Sequence, residues 1–361
     1  MDGVTGTYLQ RAIADGGTGN AEIVRELESR FTDLLGLPYG LCVSSGTAAL
    51  ICALRALGVR PRDRVALSVL GPAMTGLAVA AVGAEPVFID SAAPTSFGLD
   101  AAALAAAAGQ GVAAAIVVPM WGYWDEDATA LAGLRAAGVP VIVDAAQAPF
   151  LRLHTGWSDL ADVVCLSLHG RKPIKAGEGG ICLTGQAHVA EKIAAMRSFG
   201  QGAAFTGHRL DPTGSFAHRF GTNFKINALG AGWCLAQMDI VEHIRQRHTQ
   251  LRVLACSALD ATGVDWSEAR QAPEVDEHGR YGIVALCATP ADAQRMAASL
   301  AATGFEVDTT RYGYAPMDQA PFFTRTASGL SEGPYPNAHR LTTMAVACRL
   351  ETFAPHLPTG A

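Results

Sequence analysis

Hydrophobic residues fall along this chain in two patterns, one at helical spacing and one in unbroken runs. Over residues 20–37, Ile23, Leu27, Phe31 and Leu34 recur at helical spacing and Asn20 stands where a cap is needed, which predicts an amphipathic helix. The chain then alternates. Strands are predicted at "GLCVSS" (40–45), "RVALSV" (64–69), "PVFID" (86–90), "AAAIVV" (113–118), "VPVIVDA" (139–145), "DVVCLSL" (162–168) and "GICLTG" (180–185). Helices are predicted at 47–57, 73–82, 99–108 and 126–137. The strand segments are apolar throughout, as in strands covered on both faces of a parallel sheet. The fold class read from this pattern is α/β, a large and mostly parallel sheet sandwiched by helices.

After a long helical pattern at 225–252, the pattern changes. Residues 264–281 are polar and loop-like, whereas "GIVALC" (282–287), a helix at 290–304 and "FEV" (305–307) suggest a smaller α+β unit. Residues 311–323 read as a loop rich in aromatics. The boundary is expected near residue 245, giving a large unit over 1–245 and a small C-terminal unit over 246–361.

Composition narrows the classes of function. Half of the 361 residues are hydrophobic and 17% are charged, ample for a sizeable core. The net charge is −6 and no basic stripe is present, so nucleic acid is not an expected partner. The opening "MDGVTGTYLQRAIADGG" lacks the charged-then-apolar order of a signal peptide. The apolar runs break at Gly, Pro or charge before they reach bilayer length, so no membrane partner is expected. Eight scattered cysteines without a Cys-x-x-Cys pair read as buried free thiols of a reducing compartment, so a cytoplasmic location is expected and a metal site is not.

Four features that carry candidate chemistry are read at strand ends, where open α/β sheets bind ligands. In "CVSSGTAAL" a strand ends at Ser44 or Ser45, Gly46 permits a tight turn and Thr47 opens a helix, a start suited to a phosphate. In "VIVDAAQA", Asp144 ends an apolar strand, where a carboxylate needs a partner, and Gln147 follows by three. In "CLSLHGRKPIKAGEGGICL", Ser167 ends a strand and Lys172 and Lys175 precede a glycine-rich turn. A lysine amine with a lowered pKa attacks carbonyls. In "FGTNFKINALGAG", Asn223 and Lys225 precede a long helix. Each also has an ordinary explanation: a Thr-capped junction, an Asp-capped turn, solvated loop lysines, a polar helix entry. Spacing alone leaves Lys172 and Lys175 tied.

Together, a phosphate cradle, an acid at a strand end and a lysine beyond a later strand are the parts of a pyridoxal phosphate (PLP) site. The cofactor's aldehyde needs a lysine, its ring nitrogen a carboxylate, and its phosphate backbone and hydroxyl donors. In order and spacing, "SSGTAAL", "DAAQA", "SLHGRK" with "GEGG", and "GTNFKINAL" resemble the DegT/DnrJ/EryC1/StrS family, and "YPNAHRL" resembles its late Pro-x-Ala-x-Arg-Leu element. The resemblance runs from about Gly16 to the C-terminus. It implies a fold type I, PLP-dependent aminotransferase of sugar or natural-product biosynthesis, acting largely on keto-sugars and keto-cyclitols.

By that resemblance, Lys172 looks like the lysine that bonds to the cofactor's aldehyde and carries a proton to and from the substrate carbon. Asp144 looks like the partner of the pyridine nitrogen, and Gln147 like the neighbour of the ring's 3-oxygen. Gly46, Thr47 and Ser167 look like phosphate ligands. Asn223 matches the residue that reaches the phosphate from the other subunit, which implies a homodimer with a shared active site. The family's lysine lies five after the serine and six before the Glu of "GEGG", counts met by Ser167, Lys172 and Glu178 and not by Lys175. Pro173 biases Lys172 toward extended backbone.

The sequence departs from the family at one place, where an aromatic usually stacks on the cofactor ring. The matching position lies near Pro72, so Pro72, Met74 or Trp121 is the expected cover. His169, Arg311 and Tyr314 are candidate substrate contacts. The implied reaction has two halves, in which an amino acid donor, glutamate or glutamine, gives up its amine and a small keto acceptor takes it. Other PLP chemistry on an amino acid or small cyclic ketone stays open at this point. A noncatalytic PLP-binding protein is opposed by the Lys172–Asp144–Gln147 set, and keto-sugar dehydration by Lys172, since the dehydrating relatives carry histidine there.

Overall fold

A computed structural model describes residues 2–151, 156–207, 209–272, 280–307, 315–326 and 333–351. The large sheet is built from β1 (Tyr39–Val43), β2 (Arg64–Ser68), β3 (Glu85–Ile89), β4 (Ala114–Val117), β5 (Val141–Asp144), β6 (Val163–Ser167) and β7 (Gly180–Thr184). Their spatial order is β1-β7-β6-β5-β4-β2-β3. Strands β2 to β6 pair in parallel, and β7 runs antiparallel to both β6 and β1. Helices cover both faces. On β4 and β5, Ala115, Val117, Val141 and Val143 enter one apolar core, and Ala114, Ile116 and Ile142 enter the other. This two-sided burial is why the strand segments show no alternation.

The first core holds α2 (Glu22–Leu35) through Ile23, Leu27 and Phe31. The second holds α3 (Gly46–Ala56), α4 (Ala73–Ala81) and α7 (Ala187–Arg197). Between α2 and α7 lies a buried charge pair. Arg197 donates to the Glu28 carboxylate and, at 2.6 Å, to the Cys42 carbonyl, while Glu28 accepts the Cys42 N–H at 2.8 Å. One residue on each of two helices thus satisfies the backbone of β1, the edge strand between them.

Several expectations change in the structure. Asn20 is not the cap of α2: the helix begins at Glu22 with Ala21 at the cap position and no side-chain bond there. Instead the Asn20 carbonyl accepts from Arg25 at 2.9 Å. The chain also opens with a helix, α1 (Asp2–Ala14), against α8 (Ala228–Met238). The pattern at 225–252 is two helices, α8 and α9 (Val241–Asp260), split at Asp239. The Asp239 carboxylate is held at the split by Arg30 at 2.6 Å and Tyr8 at 3.0 Å.

Further elements are helices α5 (Ala101–Gly109), α6 (Ala128–Ala136) and α11 (Pro321–Thr326) and an antiparallel ribbon of β8 (Ala203–Thr206) and β9 (Arg209–Pro212). The small sheet is antiparallel, β10 (Trp266–Glu268), β11 (Gly282–Cys287) and β12 (Ala345–Arg349), with α9 and α10 (Pro290–Ala302) on it. Strand β10 thus lies inside the stretch read as loop. "FEV" forms no strand: Phe305 and Val307 pack at the rim of this third core. The polar run had hidden β10, because Trp266 and Glu268 are only half-buried. The "YPNAHRL" element opens α12 (Pro336–Met344), whose first amides, of Asn337 and Ala338, donate to Asp90 at 3.1 and 2.9 Å. A carboxylate just past β3 thereby caps a helix of the small unit. All eight cysteines are free. Among the described residues, no helix is long and apolar enough to cross a membrane.

Removing one partner of a buried ion pair strands the other charge, at a cost of about 3–5 kcal/mol. Arg197→Met is therefore expected to lower unfolding free energy in urea by about that amount. Adding Glu28→Gln, whose amide oxygen still accepts from Cys42, is expected to recover most of the loss, a non-additivity that a double-mutant cycle measures.

Candidate active site

The ends of β5 and β6 lie side by side, with Asp144 opposite Cys165 in the register and Ser167 opposite Gly180 on β7. Helix α3 starts directly over them. Ser45 caps it, its Oγ accepting the Ala48 N–H at 3.0 Å. The start comes so close that a Cβ on Gly46 would lie 2.9 Å from the Ser167 Cβ, and a Cβ on Gly180 would overlap the Ser45 carbonyl. Both glycines are therefore required by close approach of backbone. The result is a concave patch of helix-start amides, with Thr47 and Ser167 beside them, suited to an anion.

From Ser167 the chain makes a closed loop. Leu168 donates to Gly179 at 2.8 Å, Gly170 to Gly177 at 2.7 Å, Ala176 to Leu168 at 2.7 Å and Lys172 to His169 at 2.8 Å. These bonds fix the base of Lys172, and Pro173 and Ile174 are buried beneath it. The Lys172 amine enters a cavity of about 260 Å³ lined by Thr47, Asp144, Gln147, Ser167 and Tyr281 among others. That is just under the roughly 300 Å³ at which pockets for drug-sized ligands begin.

Opposite charges face each other across the cavity. Asp144 is buried and its pKa is raised by that burial, with Thr75 Oγ1 at 2.6 Å and the Ala146 N–H at 3.2 Å pulling the other way. Burial lowers the Lys172 pKa to about 8, Asp144 opposes the fall, and Arg171 and Arg349 add to it. The pair is thus a carboxylate whose burial outweighs the help of Thr75, Ala146 and Lys172, and an amine able to be neutral near physiological pH.

Of the residues expected from the sequence, Gly46, Thr47, Asp144, Gln147, Ser167, His169 and Lys172 all line this one cavity. Lys175 does not; its backbone is bonded to Gln237 of α8 at 3.2 and 2.7 Å. His169 braces the loop, its Nδ1 accepting the Arg171 N–H at 3.2 Å, with Nε2 3.7 Å from Glu178. Asn223 stands exposed on the surface, accepting from Lys225 at 2.7 Å. Arg311 and Tyr314 lie outside the described residues. Pro72 and Met74 line the cavity, whereas Trp121 is buried behind it, stacked on Tyr281 with centroids 5.9 Å apart. Trp121 donates its N–H to Gln147 at 2.6 Å, so it bears on the site through that bond and through Tyr281 rather than by covering the cavity itself.

Two residues escape the sequence reading. Thr75, on the first turn of α4, carried no signal beyond following Pro72. Tyr281 ends the polar stretch just before "GIVALC", where the change of pattern was the only hint.

The donor set fits PLP. Gly46, Thr47 and Ser167 could cradle a phosphate, Asp144 could offer a carboxylate to a protonated ring nitrogen, and Lys172 could offer an amine to an aldehyde.

Comparison with known proteins gives the same direction. The model of the DegT/DnrJ/EryC1/StrS aminotransferase family matches residues 6–352. Protein MosB of Rhizobium meliloti is 34% identical over 235 residues, covering 62% of this chain and 45% of that protein. The UDP-2-acetamido-2-deoxy-3-oxo-D-glucuronate aminotransferase of Pseudomonas aeruginosa is 31% identical over 237 residues, covering 65% of this chain and 63% of that enzyme. The matches thus span from about half to just under two thirds of these curated relatives. Among solved structures, the aminotransferase TlmJ from Streptoalloteichus hindustanus has the same fold, with a TM-score of 0.80 at 22% identity over 96% of this chain and 90% of that one.

The Thr75 bond and the Lys172 shift are separately testable. Thr75→Val removes a hydrogen bond to a charged group, so PLP affinity measured by fluorescence quenching is expected to fall about tenfold or more. For Lys172, a folded pKa of about 8 means the neutral amine appears as pH rises through that value. Capture of a small aldehyde by the cofactor-free chain is expected to rise with pH and level off above about 8, rather than near 10.4 as for an ordinary lysine.

Proposed function

The chain belongs to the DegT/DnrJ/EryC1/StrS aminotransferase family, and from that premise we propose that it transfers an amino group from an amino acid donor to a keto-sugar, keto-cyclitol or related keto acceptor. The observation that carries the reading is that Lys172, Asp144 and the cradle at Gly46, Thr47 and Ser167 converge on one cavity. The keto-sugar class is supported by the activity for which the Pseudomonas aeruginosa relative is named. Glutamate or glutamine is the donor we favour.

When bound, PLP supplies an aldehyde for amine exchange and a protonated ring that draws electrons from the substrate carbon. The residues here divide the remaining work. Lys172 holds a proton at Nζ and, with its pKa near 8, can give it up or take it back at little cost. Asp144, pinned by Thr75, would hold the ring nitrogen's proton in place. The start of α3 would hold the phosphate by its amides and dipole. Gln147, fixed by the Trp121 N–H, would border the ring's oxygen. Pro72 and Met74 are the apolar cover available to the ring.

We further propose a homodimer with a shared site, Asn223 reaching the partner's phosphate. The support is that Asn223 is exposed amid exposed Phe199, Phe216 and Phe220, an apolar patch suited to a second copy. The boundary between units is placed near residue 245, in the first turns of α9, which packs on β11. A cytoplasmic site is supported by the eight free thiols.

The purified chain loaded with PLP is expected to change its absorbance when glutamate or glutamine is added and to revert with a keto acceptor. Borohydride reduction followed by peptide mapping is expected to place the pyridoxyl group on Lys172; a label on Lys175 overturns the assignment. Lys172→Ala is expected to lower the transamination rate by roughly 10²–10⁴-fold.

A further inference from the structure

The Lys172 Nζ lies 4.7 Å from the centroid of the Tyr281 ring, within the distance at which an aromatic face attracts a cation. Tyr281 is buried and comes from the small unit, one residue before β11. The residue is held at three points. Trp121 stacks behind it at an interplanar angle of 24°. The Tyr281 N–H donates to the Trp121 carbonyl at 2.9 Å. The Tyr281 hydroxyl donates to the Arg171 carbonyl at 3.4 Å, next to the lysine itself. Even the following residue is shaped to this packing, since a Cβ on Gly282 would overlap the Trp121 ring.

Resting on the aminotransferase reading above, we propose that the face of Tyr281 is the seat of the Lys172 amine whenever it is not bonded to a carbonyl, and that Tyr281 is thereby a positioning residue of the reaction. The chemistry favours such a partner. The amine must stay at the reacting carbon while its charge comes and goes. A carboxylate in contact would bind the ammonium and compete for its proton. An aromatic face attracts the cation, aims it, and cannot accept the proton. The charged and titratable groups around the amine are Asp144 at the end of β5, Arg171, His169 and Glu178 on the loop, and Arg349 at the end of β12. Arg171 and Arg349 disfavour the ammonium, so Tyr281 and Asp144 are the groups that offset burial.

The test uses the full-length chain freed of cofactor. Competitive labelling with acetic anhydride over a range of pH, read by mass spectrometry, gives the midpoint for Lys172 and, as an internal control, for Lys175. Tyr281→Phe keeps the face and is expected to leave the Lys172 midpoint unchanged. Tyr281→Leu removes the face and is expected to lower it by roughly half to one and a half pH units. An unchanged midpoint in Tyr281→Leu overturns the proposal. So does an equal fall in Tyr281→Phe, which would assign the effect to the hydroxyl bond. If Tyr281→Leu does not fold, pentafluorophenylalanine at position 281 preserves the shape and inverts the potential of the face. It is expected to lower the midpoint, and no change again overturns the seat. The labelling needs no turnover. A shift in a chain that fails to transaminate supports the seat while overturning the function, and no shift in an active chain overturns the seat alone.

Discussion

Helix α3 begins where only backbone can pass, over the ends of two strands that are themselves neighbours. Gly46 touches the Ser167 side chain and Gly180 faces the Ser45 carbonyl with no room for a methyl group. Everything else in the site follows from that contact. It brings helix-start amides to the C-terminal edge of the sheet, where the parallel arrangement of β4, β5 and β6 leaves a crevice. It also sets the height of Ser167, from which the closed loop to Gly180 carries Lys172 back over Asp144. A bulkier residue at either glycine would push the helix away from the sheet and open the cradle and the lysine loop together.

Within that frame the electrostatics are those of a site built to be incomplete. Burial disfavours the charge on both Asp144 and Lys172, and neither is fully compensated by the protein. Thr75 and the Ala146 amide keep Asp144 from rising further. A fully satisfied ion pair would be more stable and chemically inert. Contrast Glu28 and Arg197, also buried and also opposite in charge, but bonded to each other and to the backbone of Cys42. The first pair faces a cavity and is left able to exchange protons; the second closes a seam of the core.

The large sheet was legible because its strands are covered on both faces, so apolar runs of the right length mark them directly. The residues lining the cavity were legible because they sit at or just beyond strand ends, and the family's counts from Ser167 to Lys172 to Glu178 separate two lysines that spacing alone leaves tied. What escaped detection came from contacts without a local pattern. Asn20 has the chemistry of a cap, yet its carbonyl serves Arg25 while Ala21 takes the position. Asp239 interrupts a helical pattern because residues more than two hundred positions earlier hold it there. Strand β10 reads as loop because Trp266 and Glu268 are only half-buried and Ser267 is exposed. Thr75 and Tyr281 reach the site through tertiary packing, which no spacing rule along the chain encodes.

Trp121 shows how the elements around the two sheets make one site. It adopts a left-handed backbone at φ 57°, an uncommon conformation for a bulky residue that costs on the order of 1 kcal/mol or more. That conformation lets its N–H point to Gln147, on the cavity side, while its carbonyl receives Tyr281 and its ring lies on Gly282. Any relaxation toward ordinary φ would rotate one of these contacts away from the others. The strain is therefore maintained by both neighbours at once: the glutamine of the large sheet and the tyrosine of the small one. Arg280, just before Tyr281, adds a further tether through Glu268, which Arg252 and Tyr123 also bind. The small unit thus does more than flank the cavity. Through Tyr281 it supplies a wall that touches the lysine, and the Tyr281 N–H ties that wall to the Trp121 carbonyl, while the Trp121 N–H donates to the Gln147 side chain.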